Sequence, residues 1–210
     1  MKETLNNTKR KMYREIQNHN LADAFLYLSE SMFEKDRYTY EHSSRVTYYS
    51  SMIGKELNLP LRDMESLIIG AFFHDLGKMS IPEGVLHKQG PLSEKEWNFM
   101  KLHPEVSAKA LKVIGCTDDI VSAALYHHER YDGSGYPQGL KGKEIPFLAR
   151  VITVADSYDA MTTNRSYSGA LSTEDALKEL SSNKGIQFDP DLADVFIKIV
   201  QASSSVPKAG

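Results

Sequence analysis

Seven histidines are spread over the 210 residues, and most of them stand near other groups that can bind metal or move protons. His74 and Asp75 are adjacent and follow an apolar run. His127 and His128 are adjacent and precede a glycine-rich stretch. His42 lies three residues before Arg45, on the same face of a predicted helix, and His103 directly precedes Pro104. Asp156 interrupts a mostly apolar segment, where an unpaired carboxylate would be costly. Neutral imidazoles and carboxylates together suit iron, manganese or zinc. The single cysteine, Cys116, argues against a structural zinc or an iron–sulfur site. Adjacent side chains point in different directions, so the pairs His74-Asp75 and His127-His128 can each serve two neighbouring metals. Two ions about 4 Å apart can bind phosphate, make hydroxide at neutral pH and stabilise a leaving oxygen. That is an economical chemistry for cutting a phosphodiester.

Taken singly, the same residues admit plainer readings. A lone buried histidine such as His42 or His103 is more often a hydrogen-bonded core residue than a ligand. His74-Asp75 could be an ion pair at a helix end, and Asp156 a buried partner for an arginine. His19 and His87 have no such setting and read as surface residues. Tyr48-Tyr49 and Phe72-Phe73 read as packing residues.

The elements that must position these groups are helical almost throughout. Leu21, Phe25, Leu28 and Phe33 recur at helical spacing, as do Val46, Tyr49, Ile53 and Leu57 on the next helix, which should stop before Pro60. Residues 61–73 form an apolar-faced helix that delivers His74. Ser93 with Glu96 reads as a capping box. Pro104 suits the first turn of a helix running to about Ile114, and Gly115 can end it. Thr117, Pro146, Leu171-Ser172 with Asp175, and Asp189-Pro190 mark further starts. No segment alternates with period two, so the expected fold is all-α, a helical bundle. Residues 129–146 resist the helical reading. They hold four glycines and two prolines and form a long irregular loop after the His-His pair, of a kind that is usually functional or disordered.

The bulk numbers set limits. The net charge of -3 offers no global basic field for a polyanion, so phosphate must be held locally or through metal, and a nucleic-acid polymer is not expected as a partner. The polar start has no apolar core of a signal peptide, and no apolar run approaches a membrane span. One cysteine fits a reducing compartment. A cytoplasmic protein with no membrane contact is expected.

Taken together, these residues resemble the HD-GYP family, a branch of the HD superfamily of metal-dependent phosphohydrolases. The resemblance runs from about Tyr38 to about Val200. It rests on YEHSSRV, HDLGK at 74–78, LHPEVSAKAL, HHERYDGSGYP at 127–137, ADSYDAMTTNRSY at 155–167, and QFDP at 187–190. The HD pair alone is shared by many nucleotidases; HHERYDGSGYP is the most specific part. The resemblance implies an HD-domain bundle over residues 36–202, a helical extension at 1–35 and a frayed tail at 203–210. It implies two divalent ions, iron or manganese, on His42, His74, Asp75, His103, His127, His128 and Asp156. It implies a role in bacterial signal transduction and hydrolysis of a cyclic dinucleotide, cyclic di-GMP to pGpG and in some members to GMP, by a hydroxide held between the metals. Asp75 would bridge the metals as a catalytic residue. Lys78 would meet a phosphate oxygen or assist the leaving group. Gly135, Tyr136 and Pro137 would shape the substrate side, and Arg165 would bind the second phosphate. Two departures stand out. Tyr38 occupies the position from which some members supply a third-metal glutamate, so two metals are expected. Ser168 replaces a frequent basic residue. The extra helices at the start could pack on the core or make a homodimer. The alternatives are an HD nucleotidase or phosphatase acting on mononucleotides, and a binding module whose catalysis has lapsed.

Overall fold

The structure, a computed structural model, describes residues 20–164 and 169–204. Helix α1 (Leu21–Lys35) begins at Asn20, whose side chain accepts from the Asp23 amide. It ends at Asp36, which in turn caps α2 (Arg37–Glu56) by accepting from Thr39. The buried stripe of α1 is Ala24, Leu28 and Met32; of the predicted stripe, Leu28 is buried and Phe25 stacks on Phe73. Leu21 and Phe33 point outward. With 3.6 residues per turn, two stripes share Leu28, and the face that meets Phe73 and Leu76 is the one buried. On α2 the expected stripe stands: Val46 and Ile53 are fully buried, with Tyr49 and Leu57 packed beside them.

Helix α3 (Leu61–Phe73) follows Pro60 and runs directly into His74. A 3-10 turn (Leu76–Ser80) and a short helix α4 (Glu83–Leu86) come next. Helix α5 (Glu94–Met100) opens with the predicted box: Ser93 Oγ accepts from the Glu96 amide, and Glu96 accepts from the Ser93 amide. Helix α6 (His103–Val113) carries Pro104 in its first turn, and Gly115 follows it at φ +88°. Helix α7 (Asp118–Tyr126) starts after Thr117, although the Thr117 side chain makes no cap hydrogen bond. Helices α8 (Phe147–Thr162), α9 (Thr173–Ser182) and α10 (Pro190–Ser204) complete the order. Ser172 caps α9 through the Asp175 amide, and Asp189 accepts from the amides of Asp191 and Leu192. The described residues contain no strand, only an isolated bridge between Lys184 and Phe188. None of their helices is long and apolar enough to cross a membrane.

Helix α2 packs on α3, α8 and α10, while α7 packs on α3, α6 and α8. One apolar cluster joins Val46, Ile53, Leu67, Ile152, Leu180 and Phe196; another joins Leu28, Met32, Phe73, Leu76 and Leu111. Full burial of each such side chain contributes about 1.5–3 kcal/mol. The 3-10 turn lies so close to α6 that a Cβ on Gly77 would overlap the His103 carbonyl. The Gly77 amide also donates to Ser107 Oγ at 2.8 Å. Gly77→Ala should therefore cost about 1–3 kcal/mol and displace His103. A thermal melt and a metal-binding isotherm measure both effects; an unchanged isotherm would refute the coupling.

Candidate metal centre

Each predicted ligand is delivered by a different part of this packing. His42 comes from the middle of α2 and His74 from the end of α3. Asp75 precedes the 3-10 turn, His103 starts α6, the pair His127-His128 follows α7, and Asp156 projects from α8. The structure brings all seven together in two groups. Asp75, His103, His127 and His128 offer ligand atoms within 4.8 Å of one another, and so do His42, His74 and Asp156. Asp75 reaches both. Its Oδ1 lies 3.1 Å from His103 Nε2 and 3.9 Å from His127 Nε2. Its Oδ2 lies 3.5 Å from His42 Nε2 and 3.4 Å from His74 Nε2. The pair His74-Asp75 is thus divided between the groups as expected. The pair His127-His128 is not: the chain turns at the end of α7 and leaves both rings, with centroids 4.1 Å apart, in one group.

Proton placement decides what these atoms can bind. His74, His103 and His127 direct Nδ1 at the carbonyls of Ala71, Met100 and Ala124, at 2.6, 2.7 and 2.8 Å. A carbonyl only accepts, so Nδ1 carries the proton and Nε2 presents a bare lone pair. Burial disfavours the imidazolium and lowers His103 and His127 below the ordinary histidine value; it pushes His128 down to about 3. The Nε2 atoms of His103 and His127 face each other at 3.3 Å. Asp75 Oδ1 and His74 Nε2 are buried without a hydrogen-bond partner. Burial works against the charge of Asp75, yet the Lys78 ammonium beside it holds it well below the carboxylate range. Burial also opposes a charged His42, but Asp156, Asp159 and Asp75 outweigh it and push His42 up to about 9. Converging buried acceptors of this kind are costly unless a cation sits among them. The donor set of imidazole nitrogens and carboxylate oxygens fits divalent metal in both groups.

Sequence reasoning missed three residues that support the site. Asp159, one turn beyond Asp156, accepts from His42 Nδ1 at 2.7 Å and from Arg45 at 2.6 and 3.1 Å. It, rather than Asp156, is the arginine's partner, and the i, i+3 spacing was the available signal. A carboxylate on the far nitrogen fixes the ring and raises its basicity. Asp159→Asn should weaken metal binding by roughly 10- to 100-fold with a similar fold at low temperature; calorimetric titration of the variant with manganese would read it, and wild-type affinity would refute it. Glu129, buried within the loop, accepts from the amides of Gln138, Gly139 and Leu140 at 2.7–3.1 Å. Gln187 accepts from Arg130 and donates to Ser157, and its carbonyl and that of Ile186 accept from Tyr131 and Asp132. The loop is irregular apart from a 3-10 turn (Gly142–Glu144), and these bonds hold it beside the histidines.

The centre opens into a cleft of about 850 Å³, in the range of sites for small molecules. His42, His103, His128, Lys78 and Tyr136 all line it. Lys78 Nζ is 2.5 Å from Asp75 Oδ2. Of the three residues expected on the substrate side, only Tyr136 is among those lining the cleft; its ring lies 4.9 Å from that of His128. A Cβ on Gly135 would overlap the backbone of Glu129 and Arg130, so this glycine serves the loop's own close packing. Pro137 follows Tyr136 through a cis peptide bond. Tyr38 also lines the cleft and stacks parallel to His42, with centroids 6.4 Å apart. Glu41 pairs outward with Arg37, and His87, expected at the surface, is exposed on the cleft's rim. Arg165 and Ser168 lie outside the described residues.

The fold and the doubled histidine–aspartate centre define the class, and the family described as "HD domain" matches residues 27–192. The chain belongs to the HD domain family. It is 35% identical over 174 residues to a cyclic di-GMP phosphodiesterase of Thermotoga maritima, covering 82% of this chain and 47% of that one. It is 36% identical over 175 residues to the cyclic di-GMP phosphodiesterase response regulator RpfG of Xanthomonas campestris, covering 81% and 46%. Among solved structures, a cyclic GMP-AMP specific phosphodiesterase of V. cholerae aligns with a TM-score of 0.65 at 19% identity, over 87% of this chain and 49% of that one. That last likeness concerns the fold. The chain spans about half the length of these relatives. The motif resemblance to HD-GYP proteins agrees with them.

Proposed function

We propose that the chain is a metal-dependent phosphodiesterase that hydrolyses a cyclic dinucleotide, cyclic di-GMP first among the substrates. The observation that carries this reading is the division of Asp75 between two groups of imidazole and carboxylate side chains beside a cleft of about 850 Å³. His42, His74 and Asp156 would hold one ion, and His103, His127 and His128 the other, with Asp75 shared. When bound, a metal pair supplies Lewis acidity to phosphate and a nucleophile at neutral pH. The chain's own residues supply the rest. Asp159 and the three backbone carbonyls orient the imidazoles. Lys78 stands at the cleft wall as a point charge for a phosphate oxygen. Tyr136 borders the phosphate side beside His128. Iron and manganese are the proposed ions, two per chain, because Tyr38 presents a ring where a third carboxylate would be needed.

A substrate panel with metal-loaded protein tests the reading. Cyclic di-GMP should be cleaved to pGpG, faster than any mononucleotide loses phosphate. Faster mononucleotide turnover would make the chain a nucleotidase, and tight binding without cleavage would make it a sensor. A homodimer through the N-terminal helices belongs to the same reading, and sedimentation tests it.

A further inference from the structure

Part of the cleft wall comes from a segment that the metal chemistry does not use. It runs from α4 through a loop at 86–92 into α5. Its buried residues are Val85 and Phe99, which with Ile81 form a small apolar cluster of their own. The loop is held to α5: Glu96 accepts from Lys88 Nζ at 2.6 Å as well as from the Ser93 amide and hydroxyl. Gly90 takes φ +116°, a turn that L residues rarely adopt. Next to Glu96, on the outer face of α5, stands Trp97. It is the chain's sole tryptophan, it is 45% exposed, and it lines the same cleft as His42, His103 and His128. Singly exposed apolar residues are ordinary. A large flat ring held on a helix and lining the cleft that His42, His103 and His128 also line is a different case. Gln89 and His87, both exposed, border it and carry donors and acceptors that a base edge can use.

We propose that Trp97 is a substrate-positioning residue: one nucleobase of the substrate stacks on its indole, while the loop at 86–92 lies along the base edge. This rests on the cyclic-dinucleotide reading above. Aromatic stacking tolerates any base, so the platform would secure affinity and the loop would bias the choice of base. Because the ring lies on the wall rather than among the ligands, its loss should raise KM and spare kcat.

The test uses the full chain and needs no added label, because Trp97 is the only tryptophan. Cyclic di-GMP, cyclic GMP-AMP and GMP are titrated while indole fluorescence is followed, with free tryptophan amide as the control for absorbance. The same ligands are then assayed for turnover by wild type, Trp97→Phe and Trp97→Ala. Saturable quenching by a cyclic dinucleotide is expected. A KM roughly ten-fold higher in Trp97→Ala is expected too, with kcat within about two-fold and Trp97→Phe close to wild type. Turnover without quenching, together with an unchanged KM in Trp97→Ala, would overturn the stacking role and leave the phosphodiesterase reading intact. Quenching without turnover would keep the platform and sink the enzyme; neither quenching nor turnover would sink both. Should Trp97→Ala fail to fold, the wild-type quench still decides: saturable quenching keeps the stacking role, and turnover without quenching overturns it.

Discussion

Asp75→Ala should lower turnover by roughly three orders of magnitude or more while leaving the fold in place. The carboxylate directs one oxygen at each half of the centre, so its loss removes one ligand from each. Single electrostatic contacts in active sites are already worth about 10²- to 10³-fold. Stability in chelator should fall as well, because an ionisation held well below the ordinary carboxylate range means that the folded chain favours the charge of Asp75. Lys78 and His42 lose a buried partner. The loss is moderated because Oδ1 has no hydrogen-bond partner and because Lys78, 25% exposed at its side chain, can be hydrated. The variant's melting temperature in chelator should therefore lie a few degrees below that of wild type, and an equal or higher one would contradict the ion-pairing role.

Chelation of the wild-type protein should produce the second large effect. A metal that binds only the folded chain stabilises it by about 2.7 kcal/mol at a hundred times its dissociation constant. For a chain of this size that is about 5–11 °C in melting temperature, and roughly double if two independent sites are filled. Protons compete for the same lone pairs, so the increment should shrink on acidification. Differential scanning fluorimetry with and without manganese measures it. Asp75→Ala should lose most of the increment, and equal melting temperatures for wild type in metal and in chelator would contradict the assignment.

Much of this was legible in the sequence because it is written in local chemistry. Ser93 and Glu96 are three residues apart, and their box depends on little else. Pro104, Gly115 and Asp189-Pro190 mark helix ends for similarly short-range reasons. The seven residues that converge in the centre were assembled by the resemblance of the ordered motifs, since each taken singly admitted a plainer reading. What stayed hidden depends on distant partners. Leu28 belongs to two possible stripes of α1, and the packing of distant core residues is what buries Ala24 and Met32 and leaves Leu21 and Phe33 outside. Asp156 and Asp159 share a face of α8, yet which one meets Arg45 is decided by how α2 crosses it. Glu129 is visible within HHERYDGSGYP, but its three amide donors lie nine to eleven residues on, in a loop without periodicity. The His127-His128 pair fell into one group because the direction of two adjacent side chains alternates only in regular backbone, and the chain turns there.

The central claim is a pair of metal sites sharing Asp75 and cutting a cyclic dinucleotide. Its most direct test is titration of metal-free protein with iron(II) or manganese under anaerobic conditions, following cyclic di-GMP hydrolysis at each step. Turnover should rise to a plateau at two equivalents per chain, with pGpG as the first product. A plateau at one or three equivalents, or no hydrolysis at any loading, would contradict it.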